Sequence, residues 1–102
     1  MSVLTYDILS NALISGAKRN IPFTHYRLFY FGSRVSGRAT SRSDFDIGVE
    51  AESKIPLYVI EKIKEELEEV PILQKIDLVD FSRVSEDFLM EAKKNMEIIY
   101  EQ

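Results

Sequence analysis

Hydrophobic positions change period several times along the chain, and each change marks an element. From Ser2 to Arg19 they recur at helical spacing. Leu4, Ile8 and Ala12 lie four apart with Leu9 and Leu13 beside them, which predicts a helix with one broad apolar stripe. Ser2 or Thr5 would cap its start, Lys18 and Arg19 suit the negative end of its dipole, and Pro22 stops it. His25 to Phe31 is rich in aromatic residues and bounded by Pro22 and Gly32, which predicts a buried strand. Phe45 to Glu50 alternates, with Phe45, Ile47 and Val49 on one face and Asp44, Asp46 and Gly48 on the other, as a strand requires. Pro56 to Val70 returns to helical spacing, with Leu57, Ile60, Ile63, Leu67 and Val70 as the stripe and Lys62/Glu66 and Lys64/Glu68 on the polar face. Lys75 to Phe81 alternates again and predicts a third strand. Ser85 to Asn95 predicts a last helix, capped by Ser85, with Phe88, Leu89, Ala92 and Met96 as its apolar face. The tail from Glu97 to Glu101 suits either an edge strand or more helix.

This order predicts a small α/β or α+β fold in which helices cover a sheet of three to four strands. No repeat, linker or low-complexity tract divides it, so residues 1–102 read as a single domain. The longest apolar run, Leu28 to Phe31, is far short of the roughly 20 residues of a membrane span. Asp7 and the lack of a basic cluster ahead of an apolar run argue against a secretory leader, so the expected location is cytoplasmic.

Composition narrows the chemistry. The chain has no cysteine, which excludes thiolate metal sites and cysteine nucleophiles, and one histidine, His25, which excludes a histidine-rich metal centre. Thirteen basic residues stand against 17 acidic ones, a net charge of −4, so the chain lacks the basic footprint of a nucleic-acid binder. A small anionic substrate is not excluded, because bound cations invert a local field.

Three features gather near strand ends. Gly32-Ser33-Arg34, followed by Gly37, can form a concave anion-binding turn with a hydroxyl and a positive charge, or simply a tight turn. Asp44 and Asp46, two apart on a strand, point to one face roughly 6–7 Å apart. Two like charges so placed want a bridging cation such as Mg2+ unless they merely face water at a strand end. Asp77 lies among Ile76, Leu78 and Val79, where a charge needs a partner, a metal or an exposed edge. Asp80 is its competitor but is offset by three, and so faces the other side of a regular strand. An anion-binding turn, a carboxylate pair and a third strand carboxylate together suit metal-dependent phosphoryl or nucleotidyl transfer.

The run Gly32-Ser33-Arg34-Val35-Ser36-Gly37, then Ser43-Asp44-Phe45-Asp46-Ile47-Gly48-Val49, with Ile76-Asp77-Leu78-Val79 downstream, resembles the signature of the DNA polymerase β-like nucleotidyltransferase superfamily. The compact length and the Ser-Asp-x-Asp form resemble its minimal, MNT-type members. The resemblance implies the polymerase β-like nucleotidyltransferase fold. It implies that Gly32 and Ser33, with Arg34 beside them, bind the phosphates of ATP, and that Asp44, Asp46 and Asp77 hold two Mg2+ ions. AMP would then pass to a hydroxyl acceptor. Many members carry a basic residue just before the second glycine, where this chain has Ser36, with Arg38 and Arg42 nearby. Minimal members are often encoded with a small helical HEPN-type partner, so the resemblance implies a hetero-oligomer acting as an antitoxin or catalytic subunit; a homo-oligomer is left open. The rival reading is a non-catalytic antitoxin that occludes its partner's surface.

Overall fold

The computed structural model describes residues 3–102. Its elements are α1 (Val3–Asn20), β1 (Tyr26–Phe31), α2 (Ser33–Ser36), β2 (Phe45–Ala51), α3 (Leu57–Leu67), β3 (Ile76–Asp80), α4 (Glu86–Lys93) and β4 (Met96–Glu101). The tail is a strand: β4 pairs antiparallel with β1 at the sheet edge. The sheet runs β3-β2-β1-β4, with β1 antiparallel to β2 and β2 parallel to β3. The parallel pair requires a crossover, and α3 supplies it. No helix among the described residues is long and apolar enough to cross a membrane.

Alternation along the strands divides the core into two. On one face Leu28, Tyr30, Phe45, Ile47, Val49 and Leu78 meet Leu9, Leu13 and Ala17 of α1 and Val59, Ile60, Ile63 and Leu67 of α3. On the other, Phe29, Phe31 and Phe81 form an edge-to-face aromatic cluster, covered by Ala92 and Leu89 of α4. Gly48 leaves the space this cluster needs. A Cβ there would lie 2.4 Å from Phe29 Cζ and 2.6 Å from Phe81 Cε1.

The helices keep their predicted places with shifted stripes. Leu57 is exposed and Val59 is buried in its stead. Two successive i+3 steps, Leu57 to Ile60 to Ile63, drift about 120° around a helix, which carries Leu57 off the face that Ile63 and Leu67 share. Leu4 is likewise exposed, and α1 buries Leu9, Leu13 and Ala17. Thr5 lies inside α1 rather than at its cap, and Ser2 lies outside the described residues. Ser85 does cap α4, its Oγ accepting from the Phe88 N–H at 3.2 Å.

Glu66 does not pair along its own helix as the i,i+4 spacing suggested. It accepts from Asn20 Nδ2 at 2.6 Å and from the Arg19 guanidinium, and so ties α3 to α1. The hydrogen bonds from Asn20 and Arg19 hold its carboxyl below the usual glutamate range. A carboxyl lowered on folding adds stability that is present above its unfolded value and is lost as pH falls through its folded value. Glu66→Gln is therefore expected to lower the thermal midpoint at pH 7 by a few degrees, the bridge being solvent-screened and worth about 1 kcal/mol or less. Melts at successively lower pH should bring the two proteins together as Glu66 takes up its proton and wild type loses the same contribution.

Candidate active site

β1 ends in Phe31, and the chain turns at Gly32 with φ 78° and ψ −150°, a backbone region that only glycine adopts without strain. A Cβ at Gly32 would lie 2.5 Å from Asp46 Oδ2, so the turn is laid directly against that carboxylate. The single helical turn α2 follows, with the Gly32 carbonyl accepting from Val35 N at 3.1 Å and Ser36 N at 3.0 Å. Gly37, at φ 84°, closes the turn by donating its N–H to the Ser33 carbonyl. Ser36 Oγ and the Arg38 N–H donate to the same carbonyl, at 3.2 and 3.0 Å.

Arg34 fastens this turn to the start of β2. Its Nη2 donates to the Ser43 carbonyl at 2.5 Å and its Nε to the Asp44 carbonyl at 3.3 Å. Its guanidinium carbon lies 4.0 Å from the centre of the Phe45 ring. The arginine thus fixes the backbone that carries Asp44 and Asp46.

The register of the parallel pair brings the remaining carboxylate in. Asp46 on β2 lies opposite Asp77 on β3. Residues paired across neighbouring strands share a face at about 4.8 Å strand separation. Asp44 precedes β2 and is exposed, Asp46 is half-buried, and Asp77 is exposed. Partial burial pushes the Asp46 carboxyl up, the charges of Asp77 and then Asp44 push it further, and Arg34 opposes them.

Asp80 lies elsewhere. It pairs with Val49, on the opposite face of the sheet. Its Oδ1 accepts from Ser82 N at 3.0 Å and Ser82 Oγ at 2.7 Å, and its Oδ2 binds the Arg83 guanidinium. It closes the turn after β3.

No three acidic or histidine side chains among the described residues converge tightly enough to enclose an ion by themselves. The donor set nevertheless fits a hard cation. Asp46 and Asp77 pair across neighbouring strands with Asp44 two residues before Asp46, glycine leaves open the space beside Asp46, and the like charges around Asp46 outweigh its single arginine.

Sequence reasoning missed what lies between the turn and α4. A cavity of about 290 Å3 opens there, lined by Phe31, Gly32, Ser33, Ser36 and Arg38 and, from α4 and the residues after it, by Phe88, Glu91, Ala92 and Asn95. The signal was the 88, 91, 92, 95 spacing, which places these residues on one helical face; Phe88 and Ala92 were read only as cover for the sheet.

Residues 24–102 match the family described as "Polymerase beta, Nucleotidyltransferase". The chain belongs to that family, as a nucleotidyltransferase of the minimal, MNT type. It is 33% identical over 76 residues to the "Probable protein adenylyltransferase MntA" of Haemophilus influenzae, a match spanning 74% of this chain and 67% of the relative. Among solved structures, it resembles a complex of a tri-AMPylated Shewanella oneidensis HEPN toxin with an MNT antitoxin. The TM-score is 0.69 at 21% identity, covering 94% of this chain and 72% of the other. A toxin–antitoxin structure with AMP-PNP gives a TM-score of 0.65 at 23% identity, covering 91% and 73%. These likenesses bear out the polymerase β-like fold expected from the sequence.

Proposed function

We propose that this nucleotidyltransferase moves AMP from ATP to a hydroxyl on a protein acceptor, and that it works in a toxin–antitoxin pair with a small helical HEPN-type partner. The observation that carries the reading is the Asp46–Asp77 register pair, with Asp46 lying against the Gly32 turn. The MntA relative's name and the HEPN toxin bound by the similar MNT antitoxin support the acceptor and the partner.

Asp44, Asp46 and Asp77 would hold Mg2+, which supplies charge neutralisation for the phosphates and for the attacking oxygen. Gly32 lets the backbone approach the nucleotide closely, and Ser33 offers a hydroxyl donor beside it. Arg34 acts from behind, holding Ser43 and Asp44 in place. Asp77, more exposed than its strand partner Asp46, receives the acceptor hydroxyl's proton. The acceptor oxygen then bonds to the α-phosphorus as the bond to pyrophosphate breaks, in line.

The test is label transfer from α-labelled ATP with Mg2+ and lysate of the source organism. Asp77→Asn is expected to lose the labelled product, and Asp80→Asn to keep it, assayed below its own thermal midpoint. The reverse pattern would overturn the assignment of the third carboxylate. Wild-type protein that neither labels an acceptor nor binds ATP would favour occlusion of the partner's surface instead.

A further inference from the structure

We propose that Arg38 is the cation that grips the nucleotide's phosphate chain, in the cavity between the Gly32–Ser33 turn and α4; this rests on the reading of ATP as substrate. Three arginines lie in the segment from 34 to 42, and the structure separates their tasks. Arg34 is committed to the carbonyls of Ser43 and Asp44 and to the face of Phe45. Arg42, exposed as Arg38 is, has its backbone N–H bonded to Thr40 Oγ1 and does not line the cavity. Arg38 does line it, one turn after Ser33, with its own N–H anchored on the Ser33 carbonyl at 3.0 Å. Its guanidinium makes no hydrogen bond or ion pair among the described residues.

The rest of the lining suits an anion at that place. Ser33, Ser36 and Asn95 contribute uncharged polar groups, and Phe31, Phe88 and Ala92 contribute apolar wall. The one carboxylate is Glu91, and it already has a partner in Lys94, 2.9 Å away. Its carboxyl is held below the ordinary range by Lys94 first and by Arg38 in smaller part; Glu91 and Arg38 both line the cavity and make no ion pair with each other. A planar guanidinium with free donors binds phosphate oxygens in pairs, and its attraction grows with the charge of the phosphate chain. Ser36, the other residue of the turn that lines the cavity, carries no charge and turns its hydroxyl back to the Ser33 carbonyl, which leaves Arg38 as the cation on this wall.

Calorimetric titration with Mg·ATP and Mg·AMP tests this without any turnover. Arg38→Gln is expected to weaken ATP binding about tenfold or more, the effect of losing a charged hydrogen-bond donor, and AMP binding much less. Arg42→Gln should match wild type. Glu91→Gln, which removes the one negative charge from the wall, should tighten ATP binding. Ser36→Arg added to Arg38→Gln should recover affinity, because residue 36 lines the same cavity. ATP affinity within twofold of wild type in Arg38→Gln, an equal loss in Arg42→Gln, or a loss that Ser36→Arg does not recover would each overturn the proposal while ATP remains the substrate. Wild type that does not bind ATP would overturn the substrate reading as well.

Discussion

Asp46→Asn is expected to abolish AMP transfer while leaving the protein as stable as wild type at pH 7.5, or more so. Most residues whose loss is felt strongly are lost in activity and stability together. Asp46 should separate the two because its carboxylate is an electrostatic burden on the folded chain. It is half-buried, Asp77 and Asp44 add like charge, and Arg34 compensates only in part. A carboxyl whose folded value lies above its unfolded one favours folding when protonated, and that benefit is lost as pH rises through the folded value. Asparagine keeps the shape and removes the charge, so the thermal midpoint of the variant should equal or exceed that of wild type at pH 7.5. The gap should close as pH is lowered into the range where Asp46 itself takes up a proton. Catalysis should respond in the opposite sense. Metal-assisted charge stabilisation is worth several kcal/mol, so the rate should fall by about 100- to 10,000-fold. Paired label-transfer and melting measurements decide the matter. Retained transfer would remove Asp46 from the site, and a clearly lowered midpoint would make it a structural residue.

Gly48→Ala should be the most damaging conservative change for stability. The new methyl carbon would stand 2.4 and 2.5 Å from two atoms of Phe29 and 2.6 Å from Phe81, closer than packed carbons come. Neither ring can step aside independently. Phe29 is fully buried, its centre is 4.9 Å from that of Phe81, and Phe81 in turn touches Phe31 and Phe88. Overpacking of this kind costs about 1–3 kcal/mol, which for a chain of this size lowers the midpoint by roughly 5–20 °C. Phe31 and Phe88 also wall the cavity beside the Gly32 turn, so on the proposed reading of that cavity ATP affinity should fall with stability. Gly16→Ala makes the contrast. There the added carbon meets Glu66 at 3.5 Å and Ile63 at 4.0 Å, ordinary contacts across to α3, and residue 16 lies inside α1, so the same substitution should stabilise by up to about 1 kcal/mol. Thermal melts of both variants test the pair, and Gly48→Ala melting with wild type would refute the reading of the aromatic layer.

The face bearing Asp44, Asp46 and Gly48 was legible in the sequence because a strand has a period of two and its other face, Phe45, Ile47 and Val49, is unmistakably core. The choice of Asp77 over Asp80 needed more. Offset alone places them on opposite faces, but only pairing with β2 shows which face Asp46 shares. The tail stayed ambiguous because β4 is an edge strand with no buried residue among its six, so its pattern carries little alternation. The role of Arg34 could not be read at all. Its partners are backbone carbonyls 9 and 10 residues away, and every residue offers a carbonyl. The polar pairs on α3 misled for a related reason, since spacing identifies partners within a helix and Glu66 found its own on α1.

The parallel pairing of β2 with β3 has a consequence in time. Asp46 and Asp77 are 77 − 46 = 31 residues apart and come together only when α3 has crossed over and β3 has docked. A chain emerging from the ribosome therefore displays its Gly-Ser turn and its Asp-x-Asp strand before Asp77 can join them. α4, which lines the far wall of the cavity beside the turn, is made later still. The pairing of the two carboxylates therefore waits on the crossover, however early the Gly32 turn and β2 are made.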